Sequence, residues 1–154
     1  MFTFINKFNT TIMNGNLTFS MIKPTALRNN HIGHIINMIT DAGFHVVAIK
    51  MTRLSKDQAR AFYSVHEGKD FFERLVDFMT SGPIVAMILK KDNAVEEYRK
   101  LMGSTDPAKA AEGTIRKLYG TNMTMNAVHG SDSDDNAAIE SKFFFAEQDI
   151  YRQL

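Results

Sequence analysis

The sequence predicts a single α/β domain, and three observations carry the prediction. Alternating residues at Leu17–Lys23, a helical spacing after Gly33, and β-branched and aromatic residues at Phe44–Leu54 give strand, helix, strand within about forty residues. Ile84–Leu89 is a continuous apolar run suited to a central strand covered on at least one face. The 154 residues fall inside the ~100–200 usual for one domain, and 44% hydrophobic with 23% charged residues is an ordinary globular composition. No internal repeat or low-complexity stretch points to an array.

Leu17–Lys23 (LTFSMIK) alternates apolar and polar side chains and runs into Pro24, which ends the strand in a turn. Ile35, Ile36, Ile39 and Ala42 then recur at helical spacing, with Gly43 as the C-terminal stop. After the strand at Phe44–Leu54, Ser55 with Gln58 and Asp70 with Glu73 have capping-box spacing, opening two helices. Ser81-Gly82-Pro83 punctuates the chain before the Ile84–Leu89 strand. Asn93 with Glu96 opens a helix through Leu101, and Gly103–Gly113, carrying Pro107, is a loop long for a mere connector. Thr124–His129 is a short strand, Ser133–Ser141 a helix with acidic residues in its first turn, and Asp149–Leu154 a tail without an assigned element. The pattern leaves open whether the sheet is doubly wound and parallel or ferredoxin-like and antiparallel with split βαβ units.

Residues 1–16 hold one Lys, no Arg and no continuous apolar region, and read as an N-terminal arm or an extension upstream of a start at Met13 rather than a targeting signal. The domain is placed at 17–154. No apolar run approaches the ~20 residues of a membrane-spanning helix, so no membrane role is expected. Lys and Arg total 18 against 17 Asp and Glu, a net charge of +1, without the basic footprint of a dedicated nucleic-acid binder. The absence of cysteine excludes disulfides, thiolate catalysis and sulfur-ligated zinc, and is compatible with a cytoplasmic setting.

Imidazole switches between free base and acid near neutral pH, so the five histidines are the first candidates for chemistry. His31 and His34 are three apart but lack an acidic third ligand, and read as surface or capping residues. His45 opens a strand and His66 closes a helix, where the dipole favours a cation; both read as structural or solvent-facing. His129 differs because it ends a strand before the tight polar turn Gly130-Ser131-Asp132-Ser133. Gly130 there allows the backbone to approach a ligand, and Glu140 on the following helix can reach back to orient the ring. Lys23, Arg99, Thr105 and Arg116 form a dispersed set suited to phosphate oxygens, whose convergence the spacing does not show. There is no G-x-x-x-x-G-K-[ST] loop and no G-x-G-x-x-G after the first strand.

Asn126-Ala127-Val128-His129-Gly130-Ser131-Asp132-Ser133 resembles the N-x-x-H-G-S-D-S signature of nucleoside diphosphate kinases. The likeness runs without insertions from Leu17 to about Phe145, through MIKP at 21–24, FMTSGPIVAM at 78–87 and GSTDPAKAAEGTIR at 103–116. The resemblance implies a ferredoxin-like four-stranded antiparallel sheet with split βαβ units and surrounding helices. It also implies ping-pong transfer of the terminal phosphate of a nucleoside triphosphate, typically ATP, to a nucleoside diphosphate through a phosphohistidine at His129. By the same match, Lys23, Tyr63, Arg99, Thr105, Arg116 and Asn126 hold the phosphates and sugar, Phe71 stacks on the base, and Leu75 and Met123 lie beside it. Ser131 and Glu140 support His129, Lys23 serves both binding and catalysis, and Pro107 lies in a loop the family uses at subunit contacts. Further implications are Mg2+ carried by the nucleotide phosphates rather than in a protein cage, and a cytoplasmic homo-oligomer, tetramer or hexamer.

Two departures stand out. Thr25 replaces the family's more frequent Asp after Lys-Pro, where either can cap the following turn, and 117–121 differs from many relatives in a way that bears on assembly. The alternative reading is a catalytically silent nucleotide-binding or regulatory protein of the same fold. His129, Lys23 and both arginines, whose loss would mark such a protein, are all kept.

Overall fold

A computed structural model describes residues 15–154; residues 1–14, on which most of the N-terminal-arm reading rests, lie outside the described residues. Strands β1 (Leu17–Ile22), β2 (His45–Thr52), β3 (Ile84–Lys90) and β4 (Val128–Gly130) form one sheet in the order β2-β3-β1-β4. Every neighbouring pair is antiparallel. Strand β3 lies between β1 and β2, and β1 lies between β3 and β4, so the chain makes two interleaved split βαβ crossovers. This is the ferredoxin-like arrangement, and the doubly wound parallel alternative does not hold.

The continuous apolar run at 84–89 is explained by burial on both faces of the sheet. Ile84, Ala86 and Ile88 point into one core with Phe19 and Met21 of β1, against α3 (Lys56–Phe62), α4 (Phe72–Met79) and α7 (Asp134–Phe144). Val85, Met87 and Leu89 point into the other, against α2 (Ile32–Asp41), α5 (Ala94–Met102) and α6 (Ile115–Tyr119). Each buried side chain of this size contributes about 1.5–3 kcal/mol, so the two faces together hold the sheet as a rigid platform.

Several local expectations hold. Ser55 and Gln58 form a full capping box, Gly43 terminates α2 with φ of +92°, and Ser133 caps α7 by accepting from the Asn136 N–H at 3.1 Å. Others are corrected. Pro24 opens a short helix, α1 (Pro24–Arg28), instead of a turn, because its fixed φ suits the first helical position. Thr25 does not cap it: the N-cap position is Lys23, and no side chain bonds the helix start. Asp70 and Glu73 make no capping box; α4 begins at Phe72, and Glu73 pairs with Arg60 at 2.6 Å on the surface. Asn93 opens α5 from a left-handed conformation, φ +55°, and donates to Glu96 at 2.7 Å rather than capping backbone N–H groups. Residues 124–127 are a loop, not strand, because Asn122 Oδ1 accepts from the Thr124 and Met125 N–H groups and Ala127 has φ of +75°. The tail is ordered against the sheet: the Tyr151 N–H donates to the Val47 carbonyl at 2.7 Å.

Candidate active site

His129 sits in the middle of β4, opposite Met21 of β1. Its Nε2 lies 2.9 Å from Glu140 Oε2, and the two side chains keep 21% and 17% of their surface exposed. A carboxylate only accepts, so Nε2 carries the hydrogen, and in the neutral imidazole Nδ1 keeps the lone pair. The Ser131 hydroxyl donates to the other carboxylate oxygen at 2.5 Å. Ser131 is fixed in turn, its N–H donating to the Phe19 carbonyl at 3.1 Å and its Oγ accepting from the Phe19 N–H at 3.4 Å. A two-residue step from His129 to Ser131, just past the end of β4, and the Glu140 carboxylate on α7 therefore hold the ring in place.

A second group is tied to the segment that leads into β4. The Lys23 N–H donates to the Ala127 carbonyl, and its ammonium donates to Asn126 Oδ1 at 2.7 Å and the Thr124 carbonyl at 3.4 Å. Asn126 spans the gap to the long loop, its amide donating to the Thr105 carbonyl at 3.0 Å. Burial, with the Arg116 charge adding to it, pulls the Lys23 amine down to about 7. Arg116 donates from Nη1 to the Gly103 carbonyl at 3.1 Å and from Nη2 to the Val128 carbonyl at 3.0 Å, and its buried Nε has no partner among the described residues. Burial lowers its pKa, and the like charge of Arg99 adds to that. A lysine amine and a guanidinium are thus held in a desolvated place, with no carboxylate among the described residues bonded to either, an arrangement that an anion would relieve.

Of the other residues singled out in the sequence, Tyr63 meets the imidazole and Thr105 is tied in through Asn126. The Tyr63 ring is 6.2 Å from the imidazole at 90°, and its buried hydroxyl has no partner among the described residues; burial and Glu140 raise its pKa. Phe71 is half-buried at the start of α4, with the Lys69 ammonium 5.8 Å from its ring, and Leu75 is buried one turn further on. Met123 and Thr105 are exposed. Arg99 is exposed too and lines a hollow with Asp132 and Asp134 between α5 and the start of α7. Pro107 is buried in a 3-10 turn, Pro107–Lys109, within the long loop. Among the described residues, no three His, Asp or Glu side chains gather in a manner suited to a metal ion.

Two sequence readings need correction here. Gly130 is required by packing rather than by ligand approach: a Cβ there would meet Met102 Cε at 2.5 Å and Tyr98 Cδ2 at 2.9 Å. His66 is not a favoured cation; it packs on Phe71 at 5.2 Å, and burial, followed by the charges of Lys69 and His129, lowers its pKa. Among the remaining histidines, His45 is exposed on β2, while His31 and His34 lie against Tyr119 at 4.7 and 6.1 Å. Sequence reasoning passed over Phe62, which stands edge-to-face on His129 at 5.4 Å. Its adjacency to Tyr63 was the one available signal.

Residues 16–150 match the family model described as nucleoside diphosphate kinase. The chain is 58% identical over 136 residues to a nucleoside diphosphate kinase of Flavobacterium psychrophilum, covering 88% of this chain and 98% of that one. It is 55% identical over 135 residues to that of Chlorobaculum tepidum, covering 88% and 96%. Among solved structures, the nucleoside diphosphate kinase of Aquifex aeolicus superposes with a TM-score of 0.85 at 37% identity, covering 88% of this chain and 98% of that one. A halophilic one from Halobacterium salinarum, in complex with CDP, superposes with a TM-score of 0.85 at 38% identity, covering 88% and 91%.

Proposed function

The chain belongs to the nucleoside diphosphate kinase family and is a phosphotransferase acting between nucleotides, and we propose that it transfers the group through a phosphohistidine at His129. The observation that carries this reading is the bond from Nε2 to Glu140, which leaves Nδ1 as the free nucleophile. In the first half-reaction the Nδ1 lone pair attacks the terminal phosphorus of a nucleoside triphosphate, and the bond to the departing diphosphate oxygen breaks. The ring then carries a positive charge, which the Glu140 carboxylate offsets, and Ser131 keeps that carboxylate in place. A second nucleoside diphosphate reverses the step, and the ring returns to its neutral form.

Charge on the phosphoryl group in flight needs preorganised donors, and Lys23 and Arg116 supply them from a desolvated site. In this reading Arg99, Thr105, Tyr63 and Asn126 complete the phosphate and sugar contacts, as the family motif implies. Phe71 offers a face on which any base stacks, with Leu75 and Met123 at its sides, so base choice is broad. CDP in the halophilic relative accords with a diphosphate as the second substrate. The family's reaction needs a divalent cation, which we assign to Mg2+ arriving on the nucleotide phosphates; the cation offsets phosphate charge, while the chain's own contribution is Lys23 and Arg116. The reading treats 17–154 as one catalytic domain in the cytoplasm. It includes a homo-oligomer, tetramer or hexamer, and Ile49 and Met51, 51% and 61% exposed on the edge strand β2, are surface that another subunit would cover.

Steady-state kinetics with ATP and a varied diphosphate test the mechanism. Parallel double-reciprocal lines that disappear with all turnover in His129→Ala are expected. Intersecting lines, or turnover retained by that variant, would place the nucleophile elsewhere.

A further inference from the structure

We infer that Phe62 keeps water from the phosphohistidine at His129, so that the phosphoryl group goes to a nucleotide and not to solvent. The inference rests on His129 being the phosphorylated residue. Phe62 is the last residue of α3, and its ring meets the imidazole at 5.4 Å and 73°, an edge-to-face geometry. It also lies 4.9 Å from Tyr63, 5.9 Å from Phe19, 5.4 Å from Phe143 and 5.6 Å from Phe144. Phe19 and Tyr63 reach the same imidazole at 6.1 and 6.2 Å. The histidine therefore has Glu140 on one flank and a collar of three aromatic rings, Phe19, Phe62 and Tyr63, against it, and Phe62 joins that collar to Phe143 and Phe144. Phe143, 40% exposed, is the outer rim of the cluster.

The collar matters to a specific side reaction. Water attack forms an oxygen–phosphorus bond and breaks Nδ1–P; both water protons leave on dihydrogen phosphate, and the ring recovers its lone pair as a neutral imidazole. A water placed for that attack needs polar partners, and the faces and edges of the three aromatic rings against the imidazole give it few. A nucleoside diphosphate brings its own oxygen nucleophile, and in the proposed reading Lys23 and Arg116, rather than the aromatic rings, hold its phosphates.

The test isolates the phosphoenzyme after exposure to γ-labelled ATP and Mg2+, removes nucleotide, and follows two rates: release of inorganic phosphate, and transfer to added GDP. Phe62→Ala is expected to raise hydrolysis by about tenfold while transfer changes by less than about threefold, so that the partition between them moves. Phe143→Ala, at the exposed rim, is expected to raise hydrolysis by a smaller factor and serves if the first variant does not fold. Unchanged hydrolysis in the folded Phe62→Ala protein, or in Phe143→Ala when only that variant folds, would overturn the inference. A proportional fall in transfer and binding, with the partition unmoved, would also overturn it and reduce Phe62 to a packing residue. If wild type takes no label, or His129→Ala takes it, the proposed nucleophile fails first, and the outcome is distinguishable from failure of the collar.

Discussion

An imidazole attacks phosphorus only while one nitrogen keeps its lone pair, and Glu140 settles which one by accepting from Nε2. Glu140→Gln keeps an acceptor and removes the negative charge that offsets the cationic ring. Phosphoenzyme formation in a single turnover is expected to slow by about tenfold to hundredfold, with diphosphate affinity nearly unchanged; an unaffected rate would remove Glu140 from the mechanism. At Lys23, burial brings the amine to about 7, whereas the unfolded chain keeps its lysine protonated to about 10.4. The unfolded state then binds more protons in that window, and stability rises with pH across it. A phosphate restores the ammonium, so diphosphate binding at pH 8 is expected to take up protons, seen as calorimetric heats that vary with buffer ionisation enthalpy in wild type and not in Lys23→Met. Buffer-independent heats in wild type would contradict this. His129 was legible from its place before the Gly-Ser turn and from the eight-residue motif around it. The tautomer was not, because it depends on a carboxylate returning from another element. Gly130 was misread because the atoms that require a glycine, on Met102 and Tyr98, lie about thirty residues away in sequence.

At the scale of elements, β4 and the 103–127 segment depend on close contacts. Gly130→Ala forces a methyl into Met102 and the Tyr98 ring, and is expected to lower stability by about 1–3 kcal/mol in urea unfolding. Adding Met102→Ala should recover part of that loss, since the methionine end is one of the two obstacles; strict additivity would argue against the clash. Arg116 joins the loop to β4 through Gly103 and Val128 and also faces the phosphates in our reading. Arg116→Ala is expected to cost about 2–4 kcal/mol in transition-state stabilisation, read from kcat/KM, and undiminished turnover would exclude it from the site. Long patterned elements were readable: β1, α2 and β2 follow the period of their apolar residues, and β3 its continuous apolar run. The errors fell where a local rule competes with a distant partner. Glu73 found Arg60 instead of a cap, and Thr124–Ala127 was drawn out of strand geometry by Asn122 and by the link from Lys23 to Asn126.

Across the whole molecule, the order β2-β3-β1-β4 is what brings Lys23, at the end of β1, beside the residues that precede β4. Residue pattern alone left two topologies open because strand order is a property of long-range pairing; the motif resemblance chose between them. The same order leaves β2 at an edge with Ile49 and Met51 exposed. Wild type is expected to sediment as a tetramer or hexamer, and Met51→Glu as a smaller species with its fold intact; a monomeric wild type would remove the oligomer from the account. The phosphohistidine itself is tested by labelling the purified protein with γ-labelled ATP and Mg2+, then chasing with GDP, with His129→Ala alongside. The account predicts acid-labile label on wild type that moves to GTP, and none on the variant. Tight ATP binding without label or transfer would contradict it.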